Sequence, residues 1–196
     1  NTLVLALDGA EGGVVAGSEA EPVPNTLGEQ DTLVILVNFQ DDPSEPYTTA
    51  HARDVIINQT GDFFLENSYG QTWLSGDVTG WHTIALDSTG CDGASIRDLA
   101  EQAALGDGYD PATYDRLVYA FPQNGCDFWG SATVGGTPSR AWLNGDLALE
   151  LTGHEMGHNL GLSHSHSLVC DEGVVVGSGS AVAGIDPWPD CTSLEY

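Results

Sequence analysis

The chain has 196 residues, 41% of them apolar and 8% aromatic, which suits one folded domain with a real core and excludes a disordered chain. Acidic residues outnumber basic ones 29 to 4, and a net charge of −25 excludes nucleic acid and anionic membrane as partners. No apolar run reaches the roughly eighteen residues of a membrane-spanning helix.

The chain starts at Asn1 with no initiator methionine, the expectation for a processed segment of a secreted, extracellular protein whose signal peptide lies outside it. Residues 1–24 combine one short apolar stretch, Thr2–Leu7, with a Gly/Ala/Glu-rich run ending Glu21-Pro22-Val23-Pro24, and read as a pro-segment tail or linker. Residues 25–196 then form the domain proper. Asp31–Phe39 is a continuous apolar run, the pattern of a buried central strand. Residues 49–66 carry helical periodicity through Ala52, Ile56, Phe63 and Phe64. Gln71–Ser75 and Trp81–Leu86 flank Gly76-Asp77-Val78-Thr79-Gly80, which reads as a hairpin. Ala94–Leu105 predicts an amphipathic helix with Ile96, Leu99 and Ala103 inward, and Arg116–Phe121 a second buried strand. Extended pieces are expected around Ser131–Val134 and Arg140–Leu143.

The chemistry is concentrated in His154-Glu155-Met156-Gly157-His158-Asn159-Leu160-Gly161-Leu162-Ser163-His164, the pattern H-E-x-x-H-x-x-G-x-x-H. A helix over about 147–160, with Asp146 as N-cap, stands His154 and His158 one turn apart, roughly 40° around the axis, so both imidazoles can reach one ion. Leu149, Met156 and Leu160 would anchor this helix, and Gly153 and Gly157 would admit a close backbone. Gly161 allows a left-handed exit that brings round His164 as third nitrogen ligand. Three protein ligands leave the fourth position open, as in a catalytic rather than a structural Zn²⁺ site. Glu155, about 100° away from His154, is placed as general base rather than ligand. His51 and His82 lack ligand spacing, His166 reads as an exposed loop residue, and Asn58-Gln59-Thr60 as an unused sequon inside a helix.

Four cysteines, none in C-x-x-C spacing, predict two disulfides, Cys91–Cys126 and Cys170–Cys191, with loop-like chain after His164. No D-x-[DN]-x-[DN]-G loop exists, so Ca²⁺ is possible but has no motif behind it.

The eleven-residue motif resembles that of the metzincin clan of zinc metallopeptidases. Asn25–Gln30, Glu66–Gly70 and Ala141–Gly145 resemble segments of its gametolysin-like family. The resemblance covers about residues 25–196 and implies an α/β (α+β) fold. In it a twisted mixed sheet packs on two main helices, the second carrying zinc ligands His154, His158 and His164, with Glu155 catalytic. It implies an edge strand within about Phe128–Val134 that binds a protein or peptide substrate in extended form. The family's methionine turn is expected to lie beyond Tyr196, since Met156 is the only methionine and Ser193–Tyr196 resembles the approach to that turn. The function these expectations define is a secreted endopeptidase that hydrolyses peptide bonds of extracellular proteins with a zinc-activated water. The alternatives are a catalytically inactive zinc-binding extracellular recognition module and an acidic, calcium-dependent adhesion protein. The sequence leaves the oligomeric state open.

Overall fold

Strand β1, Gly28–Phe39, is the spine of the domain: Leu33 to Val37 are all fully buried. A computed structural model describes residues 25–164 in full and, beyond them, the backbone of 166–170, 175–176 and 191–195. Side chains alternate across a strand, and here both faces are covered. Leu33, Ile35 and Val37 meet Ile96, Ala100 and Ala104 of helix α3 (Gly93–Gly106). Val34 and Leu36 point to the other face, against the helical run that starts at Thr49 and against the helix that carries the histidines. Each such buried aliphatic side chain contributes about 1.5–3 kcal/mol of transfer free energy. The twisted mixed sheet expected on two main helices is therefore present, with a third helix closing its opposite face.

The five strands lie in the order β2-β1-β3-β5-β4. They are β2 (Thr72–Ile84), β3 (Arg116–Phe121), β4 (Gly130–Ala132) and β5 (Ser139–Asn144) about β1. All neighbours run parallel except β4, which pairs antiparallel with β5 and forms the edge. The helical run comprises α1 (Thr49–Ala52), a π-helical stretch (Arg53–Gln59) and α2 (Thr60–Asn67). Thr60 closes the wide turn: its N–H and its hydroxyl, at 2.9 Å, both donate to the carbonyl of Val55. Asn58, of the sequon, is exposed on this helical stretch.

The hairpin expected between Gln71 and Leu86 is corrected: Thr72–Ile84 is one long strand parallel to β1. Gly76 makes continuation possible. It sits at φ +132°, and a Cβ there would stand 1.9 Å from the carbonyl oxygen of Thr32. The neighbouring strand thus occupies the space in which a turn with side chains would have formed. The one surplus residue, Thr79 and Gly80 together standing opposite Ile35, is absorbed by a bulge, where the Thr79 hydroxyl accepts from the Leu36 N–H at 3.1 Å.

The Cys91–Cys126 disulfide is formed and ties the approach to α3 to the loop after β3. The chain after His164 is not loop throughout. β6 (His166–Cys170), β7 (Val175–Val176) and β8 (Cys191–Glu195) form a small antiparallel sheet in which the backbone of Cys170 lies opposite that of Cys191. The expected Cys170–Cys191 bond, the His166 side chain and the 1–24 segment lie outside the described residues. Among the described residues no helix is long and apolar enough to cross a membrane.

All four arginines are engaged. Arg53 pairs with Asp77, Arg97 with Asp98 and Arg140 with Glu101, while Arg116 is buried. Carboxylates also crowd one another. At Asp31, partial burial, then Asp115, Asp77 and Glu29, raise the carboxyl above the ordinary value. A carboxyl that binds its proton more tightly when folded loses stability as pH rises from about 4 through its folded pKa. Asp31→Asn should accordingly raise the melting temperature at neutral pH and low salt, but not at pH 3, and added salt should shrink the gain. Melting curves of both proteins at the two pH values check this; an equal shift at both would remove the electrostatic account.

Candidate metal centre

Helix α4, Leu149–Asn159, presents His154 and His158 four residues apart. Its start differs from expectation. Ala148 is the N-cap and supplies no side-chain bond, whereas Asp146 accepts from the adjacent Leu147 N–H at 2.8 Å within the preceding turn. Met156 faces the core at 1% exposure, with Leu147 and the partly buried Leu160 beside it. Leu149 is not part of that anchor: it lines an apolar hollow of about 630 Å³ with Phe63, Phe64 and Leu162, which the three histidines also border. Gly153 and Gly157 border the same hollow, and what approaches them is side chain, the Phe63 ring and Leu162, rather than backbone. A hydroxyl pair, Thr60 and Thr152 at 2.6 Å, fastens α4 to α2 inside the core.

The helix ends as the glycine spacing predicts. Gly161 takes φ +90°, its N–H donates to the His158 carbonyl at 2.8 Å, and the Leu162 N–H donates to the Gly157 carbonyl at 3.1 Å. This paired 5→2 and 6→1 closure is the Schellman motif. It also returns the Leu162 carbonyl to the helix, where it lies 2.7 Å from Nδ1 of His158. A carbonyl can only accept, so Nδ1 carries the hydrogen and Nε2 of His158 keeps its lone pair.

That lone pair points at two more imidazole nitrogens. Nε2 of His158 is 3.1 Å from Nε2 of His154 and 3.2 Å from Nε2 of His164. Among the described residues these three form the group able to hold a metal, with ligand atoms all within 4.8 Å of one another. Nitrogens bound tetrahedrally to zinc at about 2.0–2.1 Å stand about 3.3–3.4 Å apart, and the two distances from His158 lie within a few tenths of an ångström of that. The electrostatics of His154 agree. Burial, then the facing His158 and His164, lower its pKa, which favours its neutral, ligating form.

Glu155 stands beside the triad at 5% exposure. Burial raises its pKa, partly opposed by His158. Among the described residues its carboxylate has no hydrogen bond or ion pair. It opens into a cleft of about 540 Å³ walled by β4 (Gly130, Ser131, Ala132), by Val134 and by the three histidines. The structure therefore brings together all four residues singled out from the motif. His51 is exposed and His82 lies in β2, both away from the cleft.

Four contributors carried no local sequence signal. Asn159 donates to the carbonyls of Thr133 and Arg140 at 3.0 and 2.9 Å, and the Gly135 N–H donates to the His158 carbonyl at 2.8 Å, so the loop after β4 is bound to the end of α4. Arg116 donates to the Gly136 carbonyl and to Ser139, bracing that loop from behind. Gly130 lies against Glu155. Residues 128–143 contain several glycines, and nothing in the sequence alone singles out Gly130 among them.

No protein-family model matches the chain, and no curated protein does. Among solved structures, one described as "Structure of a chaperone-substrate complex" is similar in part, with a TM-score of 0.45 and 18% identity over 69% of this chain. The chain spans 24% of the length of that one.

Proposed function

We propose that the chain is a secreted zinc-dependent endopeptidase of the metzincin type, resembling the gametolysin-like family and acting on extracellular proteins. The observation that carries this reading is the placement of a buried, hydrogen-bond-free carboxylate, Glu155, beside three convergent imidazole nitrogens in one cleft. His154, His158 and His164 would hold the ion, which when bound supplies Lewis-acid polarisation and acidification of water.

The chain's own residues supply the rest. The Leu162 carbonyl keeps His158 in the tautomer that presents Nε2. Glu155, its proton affinity raised by burial, takes a proton from water and returns it to the leaving amine. The outer edge of β4 leaves main-chain N–H and C=O groups for an extended peptide to pair with, as in strand addition. A structural zinc site would leave Glu155 without a task.

The test is hydrolysis of casein or gelatin before and after chelation. Activity should fall to background with chelator and return with zinc, with one zinc per chain by metal analysis. Hydrolysis indifferent to chelation would end the reading. Stoichiometric zinc with no hydrolysis would leave the inactive recognition module in its place.

A further inference from the structure

Gly130 opens the edge strand that walls the cleft, and nothing in its own backbone requires glycine, since its φ lies outside the positive range. The requirement comes from across the cleft. A Cβ at position 130 would stand 2.4 Å from Oε1, 2.5 Å from Cγ and 2.6 Å from Cδ of Glu155. Carbon atoms rest about 3.5–4.0 Å apart, so the carboxylate would have to retreat by about 1 Å.

Neither wall can yield instead. β4 is held by its pairing of Gly130 with Leu143, by the Asn144 N–H donating to the Trp129 carbonyl at 2.7 Å, and by the Asn144 side-chain amide donating to the Phe128 carbonyl at 2.8 Å. α4 is held by Met156 in the core and by the Thr60–Thr152 bond. The free member is the Glu155 side chain. It has no hydrogen-bond partner among the described residues to fix its rotamer, so contact with the Gly130 backbone is what limits it on that side.

We infer that Gly130 is the positioning residue for Glu155: the bare backbone of the edge strand is the stop against which the carboxylate rests. The role in hydrolysis rests on the proposed function, whereas the packing does not. The strand that offers its edge to a peptide is thus the strand that sets where the base stands. A peptide pairing with β4 would meet the carboxylate at a distance fixed by one glycine.

The experiment is a double-mutant cycle of Gly130→Ala and Glu155→Ala, read by melting temperature and zinc content, with steady-state kinetics of the single Gly130→Ala variant. Gly130→Ala should lower the melting temperature in the parent protein and leave it unchanged or raised in the Glu155→Ala background, where the obstructing carboxylate is gone. Its kcat should fall on the order of a hundredfold, the cost of misplacing a catalytic group by about 1 Å, with KM and bound zinc unchanged. Equal shifts in both backgrounds, or a kcat at the parent value, would overturn the role. If the parent hydrolyses nothing, the proposed function has failed, and the melting cycle alone decides whether Gly130 positions Glu155.

Discussion

On the proposed function, Glu155→Ala will bind zinc as the parent does and lose at least about a hundredfold in kcat, the range in which a positioned acid–base group contributes. The argument is a separation of roles. The three imidazoles converge without help from Glu155, and His158 is oriented by the Leu162 carbonyl, so metal affinity should hardly change. What disappears is the one carboxylate among the described residues of the cleft wall. Removing it also takes a buried carboxyl with raised pKa out of the fold, so the metal-free variant should melt no lower than the metal-free parent near neutral pH. Zinc analysis, thermal melting and casein hydrolysis on the same preparation test all three statements. A variant that hydrolyses at the parent rate would remove Glu155 from the mechanism; one that loses zinc would make it a ligand.

The second large effect is on stability. Arg116 is 1% exposed and donates to the Gln30 side chain, to Ser139, and to the carbonyls of Gly136 and Asn25. Burial lowers its pKa, opposed by Asp115. Arg116→Met keeps volume but strips the donors from four acceptors, at least two of which are sealed from water. Each buried polar group so orphaned costs about 1–3 kcal/mol, so the two sealed acceptors alone put the loss at about 2–6 kcal/mol. Denaturant unfolding should show a loss in that range. Hydrogen exchange should localise its first consequence to residues 133–139, the loop that binds the end of α4 through Gly135 and Asn159. A loss below 1 kcal/mol would show that water replaces the guanidinium.

Local chemistry and long-range packing were unequally legible. The triad and Glu155 lie within eleven consecutive residues, and helical geometry with one left-handed glycine suffices to bring them together, so the sequence contains the site almost whole. β1 and β3 were equally plain, because a strand buried on both faces must be apolar throughout. The hairpin failed because Gly76 serves two opposite purposes. It can turn a chain, or let a straight one pass against a neighbour, and which it does depends on Thr32, 44 residues earlier. The Asp146 cap failed for a similar reason: an aspartate that holds a turn and one that starts a helix look alike until the backbone is traced. Gly130 and Arg116 act on Glu155 and Gln30, partners that only the folded sheet brings near.

The engagement of every arginine bears on how long such a chain survives among proteases. Enzymes that cut after basic residues find four such bonds in the whole sequence, none of them after lysine. Arg53 lies in the π-helical stretch, Arg97 in α3, Arg116 in β3 and Arg140 in β5. A protease must draw its substrate into an extended, accessible strand, which none of these positions offers without unravelling a regular element. Cleavage there is therefore governed by the opening of the fold rather than by a loop left within reach, and digestion becomes a direct clock for the unfolding of the domain.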